Sequence, residues 1–186
     1  GQMLVLLTRG IDLSAASNLA LTGMVCALLG KAFPGVSIVV LIAVALAVGA
    51  LLGSLNGWLI TGFGLPPIVV TLGTLSAYRG AIFVASKGAW ISDQDIHDAI
   101  KGLPREVWLG LPALVWFAFV VVALTAVFLK LRREGREIYA LGGNPHAATY
   151  AGISVPSRLR LVYTLSGMLA GLAGLLWVGR YSIAYT

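Results

Sequence analysis

Residues 36–60 read VSIVVLIAVALAVGALLGSLNGWLI, without one charged side chain. A helix needs roughly 20 apolar residues to cross about 30 Å of hydrocarbon, and this stretch supplies them. Leu109 to Leu129 and Leu161 to Gly179 are likewise free of charge. Two further stretches come close: Leu13 to Gly30 is uncharged but carries Ser14, Ser17, Asn18 and Thr22, and Pro67 to Ser86 is broken by Tyr78 and Arg79. One such run could be a buried helix of a large soluble core; five in 186 residues are too many for that. The expected fold class is all-α, a polytopic transmembrane helix bundle with about five spans, near 13–30, 36–60, 67–86, 108–129 and 161–179. A β-barrel would alternate apolar and polar residues instead. Composition agrees: 59% of residues are hydrophobic, 11% are charged and mean hydropathy is +0.93, whereas soluble domains carry about 25% charged residues.

Several chemistries are not signalled. The single cysteine, Cys26, lies in an apolar run and reads as a small packing residue. There is no zinc-type cluster and no G-x-x-x-x-G-K-[ST] phosphate loop. No catalytic constellation, metal site or cofactor site is expected in this chain. Gly1 to Leu7 reads as the tail of an earlier apolar segment and Tyr181 to Thr186 stops without a polar tail, so a longer chain is expected. The competing reading is a complete small membrane protein.

Charge sets an orientation. Lys130, Arg132, Arg133, Arg136, Arg158 and Arg160 gather in loop 130–160 against Glu134 and Glu137. Loop 87–107 mixes Lys87, Lys101 and Arg105 with Asp93, Asp95, Asp98 and Glu106. The positive-inside rule makes the first loop cytoplasmic and the second external. Alternation then puts Gly62–Pro66 and Arg9–Asp12 inside and Lys31–Gly35 outside. The net charge of +6 is thereby topological, not a nucleic-acid footprint. In the outer loop, Ser92 can cap a short helix whose positive end suits Asp93 and Asp95, and Pro104 ends it. Trp90, Trp108 and Trp116 suit the membrane boundary.

Ala45, Gly49, Gly53 and Gly57 recur every four residues, and Gly167 and Gly171 repeat the spacing. Such stripes let helix backbones approach closely. Asp12, Ser14, Asn18, Asn56, Thr71, Thr74 and Tyr78 lie in or beside spans, where polar groups face a bundle interior or a cavity. Asn56, Thr71 and Tyr78 are candidates for lining a path. Asp12 reads first as a helix cap, Asn56 as an interhelical hydrogen-bonding group, and Arg79 as a snorkelling cation. In the inner loop, Asn144 can cap a short helix from Pro145 to Ala151, stopped at Gly152. A capped helix beside basic residues is either a docking element or a solvated connector.

These stretches carry a resemblance. Gly10-Ile11-Asp12-Leu13-Ser14, Leu55-Asn56-Gly57, Pro67 to Thr74, Tyr139 to Gly152 and Tyr163 to Gly174 resemble, in order, signatures of the membrane permeases of bacterial ABC importers for simple sugars. This group holds the ribose, xylose, arabinose, galactose and rhamnose permeases. The resemblance implies a transporter subunit of the bacterial inner membrane, not an enzyme. ATP and magnesium would be bound by two cytoplasmic ATPase subunits. Further partners would be a second permease chain, a periplasmic sugar-binding protein and membrane lipid, without nucleic acid. It also implies that Asn144, Pro145, His146, Ala147, Ala148 and Gly152 form the element that couples to the ATPase. His146 stands where the family has Glu, which puts any salt bridge of that Glu in doubt. Rival readings are an ion-coupled secondary transporter, which would favour intramembrane acids and broken helices in two repeats, and a non-transporting scaffold.

Overall fold

The computed structural model describes residues 1–184. Five helices are long and apolar enough to cross a membrane: α2 (Ala15–Ala32), α3 (Ile38–Phe63), α4 (Pro67–Ser86), α6 (Ala113–Leu131) and α9 (Val155–Tyr181). Four shorter helices complete the set among the described residues: α1 (Gln2–Leu7), α5 (Asp98–Arg105), α7 (Arg133–Gly143) and α8 (Pro145–Tyr150). Large apolar side chains such as Val39, Leu51, Phe83, Val122 and Leu124 are exposed on the spans. Surfaces of that kind are stable in lipid and not in water. The chain is a helical transmembrane bundle.

The bundle is organised by α3 and α9. Neither has a dominant apolar face, because lipid makes every face apolar; small residues decide the contact instead. Gly49 and Gly53 of α3 meet Gly167 and Gly171 of α9 backbone to backbone. A Cβ at Gly49 would lie 2.9 Å from Gly171 Cα, and one at Gly167 would lie 2.7 Å from Gly53 Cα. Ala45 is fully buried, with its carbonyl against Gly171. Gly57 extends the seam to Arg160. On the other side of α9, Gly174 receives the backbone of α2 at Leu19 and Gly23. α4 packs on α2 and the edge of α3 through Val70, Thr71, Thr74, Tyr78 and Ile82. α6 stands at the periphery, burying only Ala113 and Leu129.

Several boundaries differ from those read in the sequence: α2 and α3 each begin two residues later and run two to three residues further than 13–30 and 36–60, so Gly62 and Phe63 are helical. α6 starts at Ala113 and not near 108, because Val107–Trp108 pairs with Leu111–Pro112 in a hairpin. Leu109 and Gly110 both hold positive φ there, the two-residue turn such hairpins favour. Trp116 Nε1 donates to the Trp108 carbonyl at 2.9 Å and ties the hairpin to α6. α9 starts at Val155, six residues before 161, since Arg158 and Arg160 are helical and mark only where apolar character begins. In the outer loop the helix cap is His97, whose Nδ1 accepts from Ala99 N at 3.1 Å. Ser92 precedes only a short 3-10 turn at Asp93–Asp95 and makes no side-chain cap bond, and Pro104 sits inside the last turn of α5. The inner loop holds α7 as well as α8, and α8 closes at Tyr150, one residue before Ala151.

Candidate functional site

Between α1 and α2 the chain leaves helical geometry, and there it enters the protein interior. Thr8, Gly10, Asp12 and Ser14 are buried. Glycine is required at 10 by a close approach: a Cβ would lie 2.7 Å from the Tyr163 hydroxyl. Asp12 does not cap α2 directly. Its Oδ1 accepts from Ser14 N at 3.0 Å and Ser14 Oγ at 2.6 Å, fixing the residue at the N-cap position. Such local Asx bonding suits the non-helical approach to a helix.

This loop is the centre of a polar network that spans the bundle. Asn56 Nδ2 of α3 donates to Ser14 Oγ at 2.8 Å. Tyr78 OH of α4 donates to the Leu52 carbonyl at 2.8 Å and lies 3.5 Å from Asn56 Oδ1. Thr71 Oγ1 donates to the Ile11 carbonyl at 3.3 Å. Asn18 Nδ2 reaches the Gly49 carbonyl at 3.3 Å, and Thr22 Oγ1 donates to Asn18 Oδ1 at 3.1 Å. Interhelical bonds of this kind contribute about 0.6 kcal/mol each within a membrane, up to roughly 1.7. The network therefore orients α2, α3 and α4 about the loop more than it stabilises them. Tyr163 OH is buried beside the loop with no hydrogen-bond partner among the described residues. Asn56, Thr71 and Tyr78 thus come together around one loop, with their polar atoms directed at partners in the chain. Arg79 projects from the exposed side of α4.

The second feature lies at the basic end of the bundle. Asn144 Oδ1 accepts from His146 N at 3.0 Å and Ala147 N at 3.1 Å, so one side chain serves two otherwise unpaired donors of α8. After α8, Gly152 holds φ +79°, and Ile153 N donates back to the Ala148 carbonyl at 3.0 Å. Ala148 is 3% exposed and anchors α8 inward, whereas His146, Ala147 and Tyr150 face outward, Tyr150 at 93% exposure. Of the six residues read as one coupling element, Ala148 is the one that faces the protein.

α7 supports α8. Glu137 accepts from Arg133 Nε at 2.7 Å, one turn back, and from Arg158 Nε at 2.5 Å at the start of α9. The hydrogen bond from Arg133, with the Arg158 bond and both positive charges, holds the Glu137 carboxyl below its ordinary range against a smaller opposing effect of burial. At its far end, α7 offers its Gly142 and Gly143 carbonyls to Arg9, at 2.6 Å each. Sequence reasoning missed α7 and Arg9. The Arg133–Glu137 spacing of four was a helix signal, but the reach from Arg9 to Gly142 is visible only in the fold. At the opposite end of the bundle, a recess of about 490 Å³ is lined by Lys31, Asp95, His97 and Lys101. Lys31 pairs with Asp95 at 3.1 Å there.

A glycine-seamed bundle with a buried loop and an exposed capped helix has a match along its whole length: the family described as branched-chain amino acid transport system, permease component, covers residues 1–186. The chain belongs to this family. Among similar members of the permease family is the D-allose transport system permease protein AlsC of Escherichia coli (strain K12). It is 40% identical over 185 residues, covering 99% of this chain and 56% of the relative. Another is the autoinducer 2 import system permease protein LsrC of Enterobacter sp. (strain 638), 39% identical over 182 residues, covering 97% of this chain and 51% of the relative. The LsrC protein of Klebsiella pneumoniae is 38% identical over 194 residues. This permease-family chain spans about half the length of the curated relatives it matches. No solved structure matches it.

Proposed function

We propose that this chain is part of the membrane permease of an ATP-driven importer for a monosaccharide in the bacterial inner membrane. The observation that carries the reading is α8: a short helix, capped by Asn144, held out from the basic end of the bundle with Tyr150 almost fully exposed. A solvated connector needs neither a two-bond cap nor a tied supporting helix. The excess of Lys and Arg makes this end cytoplasmic, where ATPase subunits bind. ATP and magnesium belong to those subunits; this chain contributes no catalysis. A second permease chain completes the pore, and an extracytoplasmic binding protein delivers sugar to the end bearing α5 and the hairpin. A monosaccharide is favoured over a branched-chain amino acid by the named substrate of a similar permease, D-allose.

Asn56, Thr71 and Tyr78 flank the path in this reading. The Asn56 and Thr71 bonds to the 8–14 loop, with Tyr78 holding α4 to α3, keep the path shut in the present conformation, and alternating access exchanges those bonds for contacts to sugar hydroxyls. Such contacts stay few and weak, since the site must release what it binds. One observation favours the rival ion-coupled transporter: Asp12 is an acid buried in the bundle. Its carboxylate is engaged by Ser14, a structural role. Vesicle uptake with the cognate ATPase decides the matter. Uptake should require ATP, survive a protonophore and prefer a monosaccharide to leucine or valine. Uptake that needs an ion gradient and no ATP would overturn the reading.

A further inference from the structure

Arg9 is an unusual residue at an unusual backbone angle. It holds φ +60°, in the left-handed region that favours glycine, although it is not glycine. That angle closes α1: Arg9 N donates to the Leu6 carbonyl at 3.0 Å and Gly10 N to the Val5 carbonyl at 3.1 Å, which turns the Arg9 side chain away from the helix. Here its guanidinium fork donates from Nε to the Gly142 carbonyl and from Nη2 to the Gly143 carbonyl, both at 2.6 Å. These carbonyls end α7, where the helix dipole favours a cation. Two adjacent acceptors match the planar fork of Arg and not the point charge of Lys. The backbones meet as well: the Leu7 carbonyl occupies the space that a Cβ at Gly142 would need.

The contacts on either side of Arg9 run in opposite directions. Toward α8 there is no slack, because Gly143 is followed at once by Asn144, whose side chain caps α8. Toward the interior, Gly10 sits against Tyr163 OH, Ile11 accepts from Thr71, and Ser14 accepts from Asn56. We propose that Arg9 transmits movement of the α7–α8 element to the buried polar loop, making it a positioning residue for transport. This rests on the importer reading, and it adds a specific mechanical link: tilting α8 moves Gly142 and Gly143, these carry the Arg9 fork, and the fork re-aims residues 10–14 against α3, α4 and α9.

The test uses the complete importer in proteoliposomes, measuring sugar uptake and ATP hydrolysis together. Arg9→Gly removes the fork while suiting the backbone angle, so a role confined to backbone shape predicts no change. The expected result is wild-type membrane insertion and ATPase co-purification, hydrolysis within twofold of wild type, and uptake per ATP reduced at least tenfold. Arg9→Lys, which keeps the charge but cannot bridge both carbonyls, should lose about threefold, and it keeps the test decisive if the glycine variant folds poorly. Wild-type uptake per ATP in either variant would overturn the proposal. So would loss of ATPase co-purification, which would make Arg9 part of the docking surface. Wild-type uptake without ATP would sink the importer reading itself, and this proposal with it.

Discussion

Replacing Gly167 with alanine adds one methyl group to the seam between α3 and α9. That Cβ would lie 2.7 Å from Gly53 Cα and 2.8 Å from Gly53 N. Carbon atoms rest at about 3.5–4.0 Å, so the helices must part by roughly 1 Å. A gap of about 0.5–1 Å forfeits a quarter to a half of the dispersion energy of the contacts facing it. Nothing flexible can yield, because the atoms met are backbone. Overpacking of this kind costs about 1–3 kcal/mol, and the upper half of that range is expected, since neighbouring contacts at Gly49 and Gly171 open together. The Asn18 bond to the Gly49 carbonyl, already 3.3 Å, would lengthen as well. Cys26 is the sole cysteine and is buried, so thermal unfolding can be followed with a thiol-reactive dye. Gly73→Ala is the control, because a Cβ there meets no atom within 4 Å. Gly167→Ala should melt well below Gly73→Ala, by roughly 4–8 °C for about 2 kcal/mol. Equal melting of the two variants would refute the packing argument.

Three other outcomes follow from the basic end. Asn144→Ala should remove both cap bonds, cost about 1 kcal/mol of local stability, and speed amide exchange at His146 and Ala147 while leaving the spans protected. Tyr150→Ala should weaken ATPase co-purification with unchanged melting, whereas Ala148→Asp should lower the melting temperature first, because that side chain is buried; the reverse pattern would mean that α8 docks through its inner face. Glu137, whose carboxyl is held below its ordinary value of 4.5 in the fold, contributes stability that is present above that pH and is lost as pH falls through the lowered folded value. Proteolysis of segment 133–160 should therefore be constant near neutrality and rise in acid, and Glu137→Gln should flatten the response.

The spans were legible because absence of charge is a strong signal in lipid. α4 runs from Pro67 to Ser86, the limits of its apolar run, since Pro67 suits a first turn and Lys87 takes the left-handed conformation just after it. Where a boundary depends on geometry and not polarity, the signal failed. Trp108 to Leu111 is as apolar as a helix but forms a turn, and only Gly110 hinted at it. Arg158 and Arg160 lie outside the apolar run yet inside α9, because charge reports the edge of hydrocarbon and not the end of hydrogen bonding. Asn56 and Ser14 could each be singled out as polar groups in apolar surroundings. Their pairing across 42 positions needs the glycine seam to bring α3 beside α2 and α9. Arg9 carried no signal of its kind, since an arginine at a helix end ordinarily faces water.

In the importer reading, α8 receives the force that drives transport. ATP-dependent monosaccharide uptake should be measured in proteoliposomes holding the permease, its ATPase and its binding protein, with α8 intact and with Tyr150→Ala. Uptake should require ATP, withstand a protonophore and fall at least tenfold in the variant while the bundle melts unchanged. Uptake indifferent to ATP, or undiminished in Tyr150→Ala, would show that α8 does not drive transport.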